Sequence, residues 1–170
     1  MTLLWEQTSS NSEQSYDGTV LYCGARFMLG QVVVGNYITK VTFSLKKQGS
    51  PSGTVHVDII NTAGTFTSTN SVNASDITTS SADYEFTFAS IEVDASSYIT
   101  CRVSSSGTSS NRVQCDFNTS AVTNVEMWVG ANYDSVQESN ACPKMKVYGT
   151  GTAPASGTVL LPPPYSEIVI

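Results

Sequence analysis

The sequence predicts an all-β protein: an antiparallel β-sandwich of jelly-roll type, with about 8–10 strands and an extended C-terminal arm. Three observations predict it. Tyr37–Lys47, YITKVTFSLKK, alternates strictly, with Val41, Phe43 and Leu45 on one side and Thr42, Ser44 and Lys46 on the other. That period belongs to a strand with one buried and one wet face. Similar short runs, separated by polar turns, recur to about residue 149. No stretch of roughly 15 residues carries helical periodicity.

In chain order, Leu3–Glu6 is a short opening strand. Val20–Leu29 follows, with Leu21, Cys23, Ala25 and Phe27 in phase. Tyr37–Lys47 ends at the turn GSPSG, 49–53, where Gly and Pro supply the bend. Thr54–Ile60 turns Val55 and Val57 inward and ends at NTAGT, 61–65. Residues 66–82 are polar and rich in hydroxyls, and read as a long surface crossover with one short strand or helical turn around Asn73–Ile77. Tyr84–Ser90, Ile91–Val93, Tyr98–Ser104, Arg112–Phe117, Val125–Val129 and Lys144–Tyr148 complete the set, with SSSGTSSN at 104–111 as a turn. After Gly149 the composition changes. Residues 1–149 form the sandwich domain, and residues 150–170 form a Gly/Ala/Ser/Thr linker and a Pro-rich extended arm.

The composition narrows the function. Only 13% of the 170 residues are charged, and 45 are Ser or Thr, where about 25% charged is usual. This balance is common in extracellular and virion β-proteins. With a net charge of −6 and only 8 basic residues, the chain lacks the clustered cations that a phosphate backbone requires. No apolar run approaches the ~18 residues of a membrane span. The opening MTLLWEQTSS has no basic n-region or long apolar h-region, so it does not read as a secretory signal. Either a signal has been removed, or the protein leaves a cell by another route, as a virion subunit does.

The block ITKVTFSLKKQGSPSGTVHVDI resembles a β-jelly-roll family common in viral, archaeal and bacterial surface proteins. YEFTFASIEVDASSYITCRVSSSG, NRVQCDF and KMKVYG extend the resemblance over roughly residues 20–149. Such domains are similar to carbohydrate-binding-module jelly rolls. The resemblance implies a sandwich fold and a non-enzymatic appendage on capsid, fibre or cell-surface proteins. The four cysteines, the single-domain format and the Pro-rich tail depart from it, and read as an assembling subunit.

Four groups of residues could carry function. First, Cys101 shares a face with Ile99 and Val103, and Cys115 with Val113 and Phe117. A hairpin turning about Thr108 would oppose them as a disulfide. Cys23 and Cys142 form the second pairing if the first and last long strands are neighbours, and closing so long a loop would stabilise by roughly 4–5 kcal/mol. The competing reading is four buried free thiols. A CxxC pair, and with it a zinc site, is absent.

Second, Trp128, Tyr22 and Tyr148 are out of phase with the inward residues of their strands. They form either a glycan platform or packing surface. Third, Asp76, Asp83 and Asp94 are calcium candidates. Fourth, Leu160, Leu161, Pro162, Pro163, Pro164, Tyr165, Ile168, Val169 and Ile170 make an apolar arm too short to fold alone, suited to a neighbouring subunit. Pro162–Tyr165 also matches a P-P-x-Y ligand of polyproline-recognising domains. The sequons at Asn73 and Asn118 matter only in a glycosylating compartment. His56, the single histidine, faces out beside Asp58 with no nucleophile marked, and the scattered carboxylates carry no glycosidase signature.

The expectation is a non-enzymatic structural subunit of a virion surface (capsid, decoration or fibre) or another extracellular assembly. It packs with copies of itself or other surface subunits through its arm. The alternative is a carbohydrate-binding or adhesion module using exposed aromatics.

Overall fold

The computed structural model describes residues 1–151, apart from 19, 106, 121, 135, 139 and 140, and gives only the backbone of 136–138. The arm 152–170, with every arm residue named above, lies outside the described residues. The chain runs β1 (Thr2–Gln7), β2 (Ser12–Tyr16), β3 (Tyr22–Phe27), β4 (Tyr37–Gln48), β5 (Thr54–Asn61), β6 (Gly64–Thr67), β7 (Val72–Asn73), a 3-10 turn (Ala74–Asp76), β8 (Ala82–Glu92), β9 (Tyr98–Val103), β10 (Arg112–Asn118), β11 (Val125–Gly130), β12 (Val136–Glu138), β13 (Cys142–Pro143) and β14 (Met145–Thr150). Among the described residues no helix is long and apolar enough to cross a membrane.

The strands form two antiparallel sheets that pack as a sandwich. The first has the order β1-β14-β4-β10-β13, with β2 on β10 and β8 on β4. The second has the order β12-β11-β3-β9-β5-β6, with β7 on β5. Successive strands change sheet at β2/β3, β3/β4, β4/β5, β7/β8, β8/β9, β9/β10, β10/β11 and β12/β13, as expected for a jelly-roll type of sandwich.

The inward half of the alternation read from the sequence lines the core, while Thr42 and Ser44, expected on a wet face, are also buried because neighbouring strands and loops cover that side of β4. Val41, Phe43 and Leu45 of β4 face Val57, Ile59, Ile99 and Cys101 of the other sheet's strands in one cluster, all at 0% exposure. Burying each such large side chain contributes roughly 1.5–3 kcal/mol. Tyr84–Ser90 and Ile91–Val93 merge into the single strand β8, with Ser90 at φ 74°. β3 stops at Phe27, and Leu29 is exposed on the turn that follows.

Two turns that cross between sheets press on each other at one end. Ser50 N donates to Asn111 Oδ1 (2.8 Å) and Thr54 N donates to Ser104 Oγ (2.8 Å). Gly49, at φ 65°, sits where a Cβ would lie 2.2 Å from the Ser110 carbonyl oxygen. Only glycine satisfies both the backbone twist and that contact.

The hairpin expected between Cys101 and Cys115 does not form. β9 lies in the second sheet and β10 in the first, so residues 104–111 cross the sandwich instead of folding back. Nor are the first and last long strands neighbours: β3 pairs with β9 and β11, while β14 pairs with β1 and β4.

Gly24 marks the closest approach of β3 to β9. A Cβ there would lie 2.4 Å from the Ile99 carbonyl oxygen and 2.5 Å from Thr100 Cα, both backbone atoms. Gly24→Ala is expected to lower stability by about 2–3 kcal/mol, read as a fall in the urea midpoint. A variant with an unchanged midpoint would show that these strands are not so close.

Candidate functional site

The outer face of the second sheet carries an aromatic cluster centred on Tyr98. Tyr98 is out of phase with the buried Ile99 and Cys101, so its ring points away from the core. Trp128 on β11 meets it edge-on, with centroids 5.7 Å apart. The strand between them is β3, and its residue opposite Trp128 is Gly24. With no side chain at Gly24, the two rings can meet across an intervening strand. Tyr133, on the loop after β11, packs on the other side of Tyr98 at 5.1 Å. Arg26 lies 5.6 Å from the Tyr98 ring centre and 3.7 Å from Glu126, and Trp128 Nε1 donates to Glu126 Oε2 at 3.4 Å.

Beside these rings is a cleft of about 220 Å³, lined by Asn61, Thr62, Asp94, Ser96, Tyr98 and Tyr133, among others. Asp94 is structural as well as exposed to the cleft. Its Oδ2 accepts from Thr62 N (2.9 Å) and Thr62 Oγ1 (2.6 Å), and its Oδ1 accepts from Ser97 Oγ (2.5 Å). Burial alone would raise its pKa, but the hydrogen bonds from Ser97 and Thr62 outweigh that and hold the carboxyl below its ordinary value. Burial raises the Tyr98 hydroxyl, Arg26 opposes, and the nearby acids add to the rise.

Of the platform read from the sequence, Trp128 and Tyr22 share this sheet, on the adjacent strands β11 and β3. Tyr148 does not join them. It lies on β14 of the other sheet, where Lys40 sits 4.3 Å from its ring centre. Tyr98 obeys the phase rule that singled out Trp128 and was legible by it. Tyr133 lies in a loop, where no period marks a residue.

A larger groove, about 410 Å³, opens on the first sheet between Ser10, Asn11, Ser12, Glu13, Ser81 and Asp116. Its carboxylates are already engaged. Asp116 accepts from Ser44 Oγ (2.8 Å) and Ser81 Oγ (3.1 Å), and Glu13 holds Lys46 and Gln114. It offers no aromatic surface.

The calcium candidates are dispersed onto separate partners. Asp76 bonds Asn73, Asp83 pairs with Lys146, and Asp94 ties Thr62 to Ser97. Among the described residues no three His, Cys, Asp or Glu side chains are grouped to hold a metal. His56 contacts Thr54 Oγ1 at 3.3 Å, and Asp58 beside it is tied to Arg102 at 2.7 Å.

All four cysteines are buried and free, which corrects both expected disulfides. Cys23 and Cys101 are directly paired across β3 and β9, while Cys115 faces Leu45 and Gln14, and Cys142 faces Asn118. The bonds from Val103 N to Leu21 O and from Phe27 N to Ser97 O make Cys23 and Cys101 a hydrogen-bonded pair. Such a pair keeps Cα atoms about 5.5 Å apart, and its Cβ atoms are wider than the ~3.8 Å mean of a disulfide.

The thiols gather around the buried Tyr16, whose hydroxyl donates to the Cys101 carbonyl at 3.3 Å. Burial and the adjacent Cys115 push the Cys101 thiol well above its usual pKa, and burial pushes Cys142 up to about 12. A hydrogen bond with Cys23, then burial, does the same to Cys115.

Comparison with protein-family models, curated proteins and solved structures finds no match to this chain.

Neutral, buried thiols react slowly. Native protein is therefore expected to leave all four cysteines unlabelled by an alkylating reagent at neutral pH, and denatured protein to label all of them without prior reduction. Denatured protein that takes up label only after reduction would reveal a bridge.

Proposed function

We propose that this protein is a non-enzymatic structural subunit of a virion surface (capsid, decoration or fibre) or of another extracellular assembly. It packs against copies of itself or other surface subunits, with residues 150–170 as the connector.

The observation that carries the reading is the state of the sheet edges. A long flat edge invites direct strand pairing between copies, but the edges described are blunted. Thr69 and Asn70 seal β8: Thr69 N donates to Thr87 O (2.8 Å), Asn70 Nδ2 donates to Glu85 O (2.9 Å), and Asn70 Oδ1 accepts from Thr87 N (2.8 Å). β1 carries a register shift between Leu3 and Trp5, β2 presents Glu13 and Gln14, and β6, β7 and β12 have only 4, 2 and 3 residues. The apolar, Pro-rich arm following β14 is a segment suited to join subunits.

Deleting residues 152–170 is expected to leave the β-sheet circular dichroism unchanged while converting a defined oligomer to monomer in light scattering. A truncated protein that assembles like the full chain would refute the arm's role.

A second reading, carbohydrate binding, is favoured by the Tyr98–Trp128–Tyr133 cluster, since ring faces suit the C–H faces of sugars and the cleft adds polar groups. In that case Trp128→Ala is expected to weaken retention on a glycan array by at least about tenfold (some 1.4 kcal/mol) while the fold is kept. Wild-type protein that retains no glycan would end this reading.

A further inference from the structure

The exposed large apolar side chains among the described residues are Met1, Leu3, Leu29 and Val32. Singly such residues are ordinary, but these gather where the described chain ends. β14 runs out beside β1, with Thr2 opposite Gly149 and Leu3 opposite Tyr148. On its other side Thr150 pairs with Tyr37, and a Cβ on Gly151 would lie 3.3 Å from Asn36 Oδ1. The same Asn36 donates through Nδ2 to the Val32 carbonyl at 2.6 Å. The last described residue therefore abuts the turn that carries Leu29 and Val32, which are 77% and 55% exposed. Backbone bonds fix that turn. Gln31 N donates to Met28 O (3.2 Å), Val34 N to Gln31 O (3.0 Å) and Asn36 N to Val33 O (3.2 Å), and Val33 is fully buried beneath it. Beyond Gly151 the sequence continues as TAPASGT and then turns apolar at Val159, Leu160 and Leu161.

We propose that Val159, Leu160 and Leu161 fold back over Leu29 and Val32 of the same chain. Taking both apolar sets out of water favours the contact. The seven residues 152–158 span at most about 23–25 Å. Val32 is bonded to Asn36 at the chain's exit, and Leu29, three residues away, lies within a further ~11 Å, so the tether reaches both with slack. The occupant is the chain's own arm because a short linker holds its end at a millimolar effective concentration, which a separate copy at micromolar concentration does not match. The inference concerns the free protein and goes beyond the assembly reading, in which the arm leaves this turn to join a neighbour.

Limited digestion of the full chain with thermolysin, which cuts before large apolar residues, tests this. Cleavage of the Val159–Leu160 bond, followed by mass spectrometry, is expected to be at least about tenfold faster in a variant carrying Leu29→Ser and Val32→Ser than in the wild type, because cleavage tracks the undocked population. Both replaced side chains are exposed, so the β-sheet circular dichroism is expected to be kept; if it is lost, Leu29→Glu alone replaces the double variant. An excess of a full-length partner that keeps the turn but carries Val159→Ser, Leu160→Ser and Leu161→Ser is expected to leave the fast cleavage unchanged.

Equal rates in the wild type and the turn variant would overturn the inference. Slower cleavage of the turn variant on adding the partner would overturn it too, by placing the contact between copies, and would leave the assembly reading standing. Failure of the assembly reading shows separately, as a truncated protein that assembles like the full chain, and leaves this inference untouched.

Discussion

Neither sheet of this sandwich can form from a continuous stretch of chain, and the rest of the structure depends on that constraint. The first sheet places β4 between β8 and β14, and the second places β9 between β3 and β5. Each completed sheet needs strands from both ends of the sequence, with members of the other sheet formed in between. Closing these loops costs entropy before any contact repays it, so folding should be cooperative and slow for the chain's size. The crossing turns are therefore under tight geometric control. Gly49, wedged against Ser110, is as constrained as any core residue.

The seam where the two inner faces meet is made of small, soft side chains around one large one. Tyr16 is fully buried between sheets that contribute Cys23 and Cys101 from one side and Cys115 and Cys142 from the other. A buried hydroxyl needs a partner, and the Cys101 carbonyl supplies it. The cysteines fit here for their volume and weak polarity. The raised thiol pKa values of Cys101 and Cys142 follow from the same burial. In-register pairing of Cys23 with Cys101 is thus compatible with free thiols, because the backbone hydrogen bonds on that pair set the spacing.

What the sequence made legible was local, and what it hid was non-local. Side-chain phase is a property of the neighbours in sequence, so the inward sets of β4, β5, β9, β10 and β11 and the outward Trp128 could be read directly. Sheet membership is not such a property. The polar run 104–111 reads equally as a hairpin loop and as a crossing, and taking it as a hairpin misplaced Cys101 against Cys115. β2, SEQSY, escaped notice because an edge strand on β10 carries little apolar alternation. β12, with 3 residues, and β13, with 2, are too short to show a period. Of the aromatic cluster, Trp128 was found by phase. Its meeting with Tyr98 depends on Gly24 lying between them, a contact across three strands that no local pattern encodes.

The two outer faces differ in kind, and the difference bears on which of them suits contact with another molecule. The first sheet is laced with ion pairs: Lys40–Glu85 and Lys146–Asp83 at 2.7 Å, Arg112–Asp17 at 2.8 Å, and Lys46 with Glu13. Exposed pairs of this sort contribute roughly 0–1 kcal/mol each, and desolvating several at once would be unfavourable, so this face suits water. The second sheet instead sets rings around Tyr98, with Arg26 held against them by Glu126. Aromatic and arginine side chains are what buried contact patches are enriched in. A partner covering that face would gain apolar area at the rings, against two ion pairs there among the described residues, Arg26–Glu126 and Arg102–Asp58, where the first sheet has four. The sealing of β8 by Asn70 and the irregular edge at β1 act in the same direction, because they discourage growth along the sheets and leave the aromatic face as the favourable place for contact.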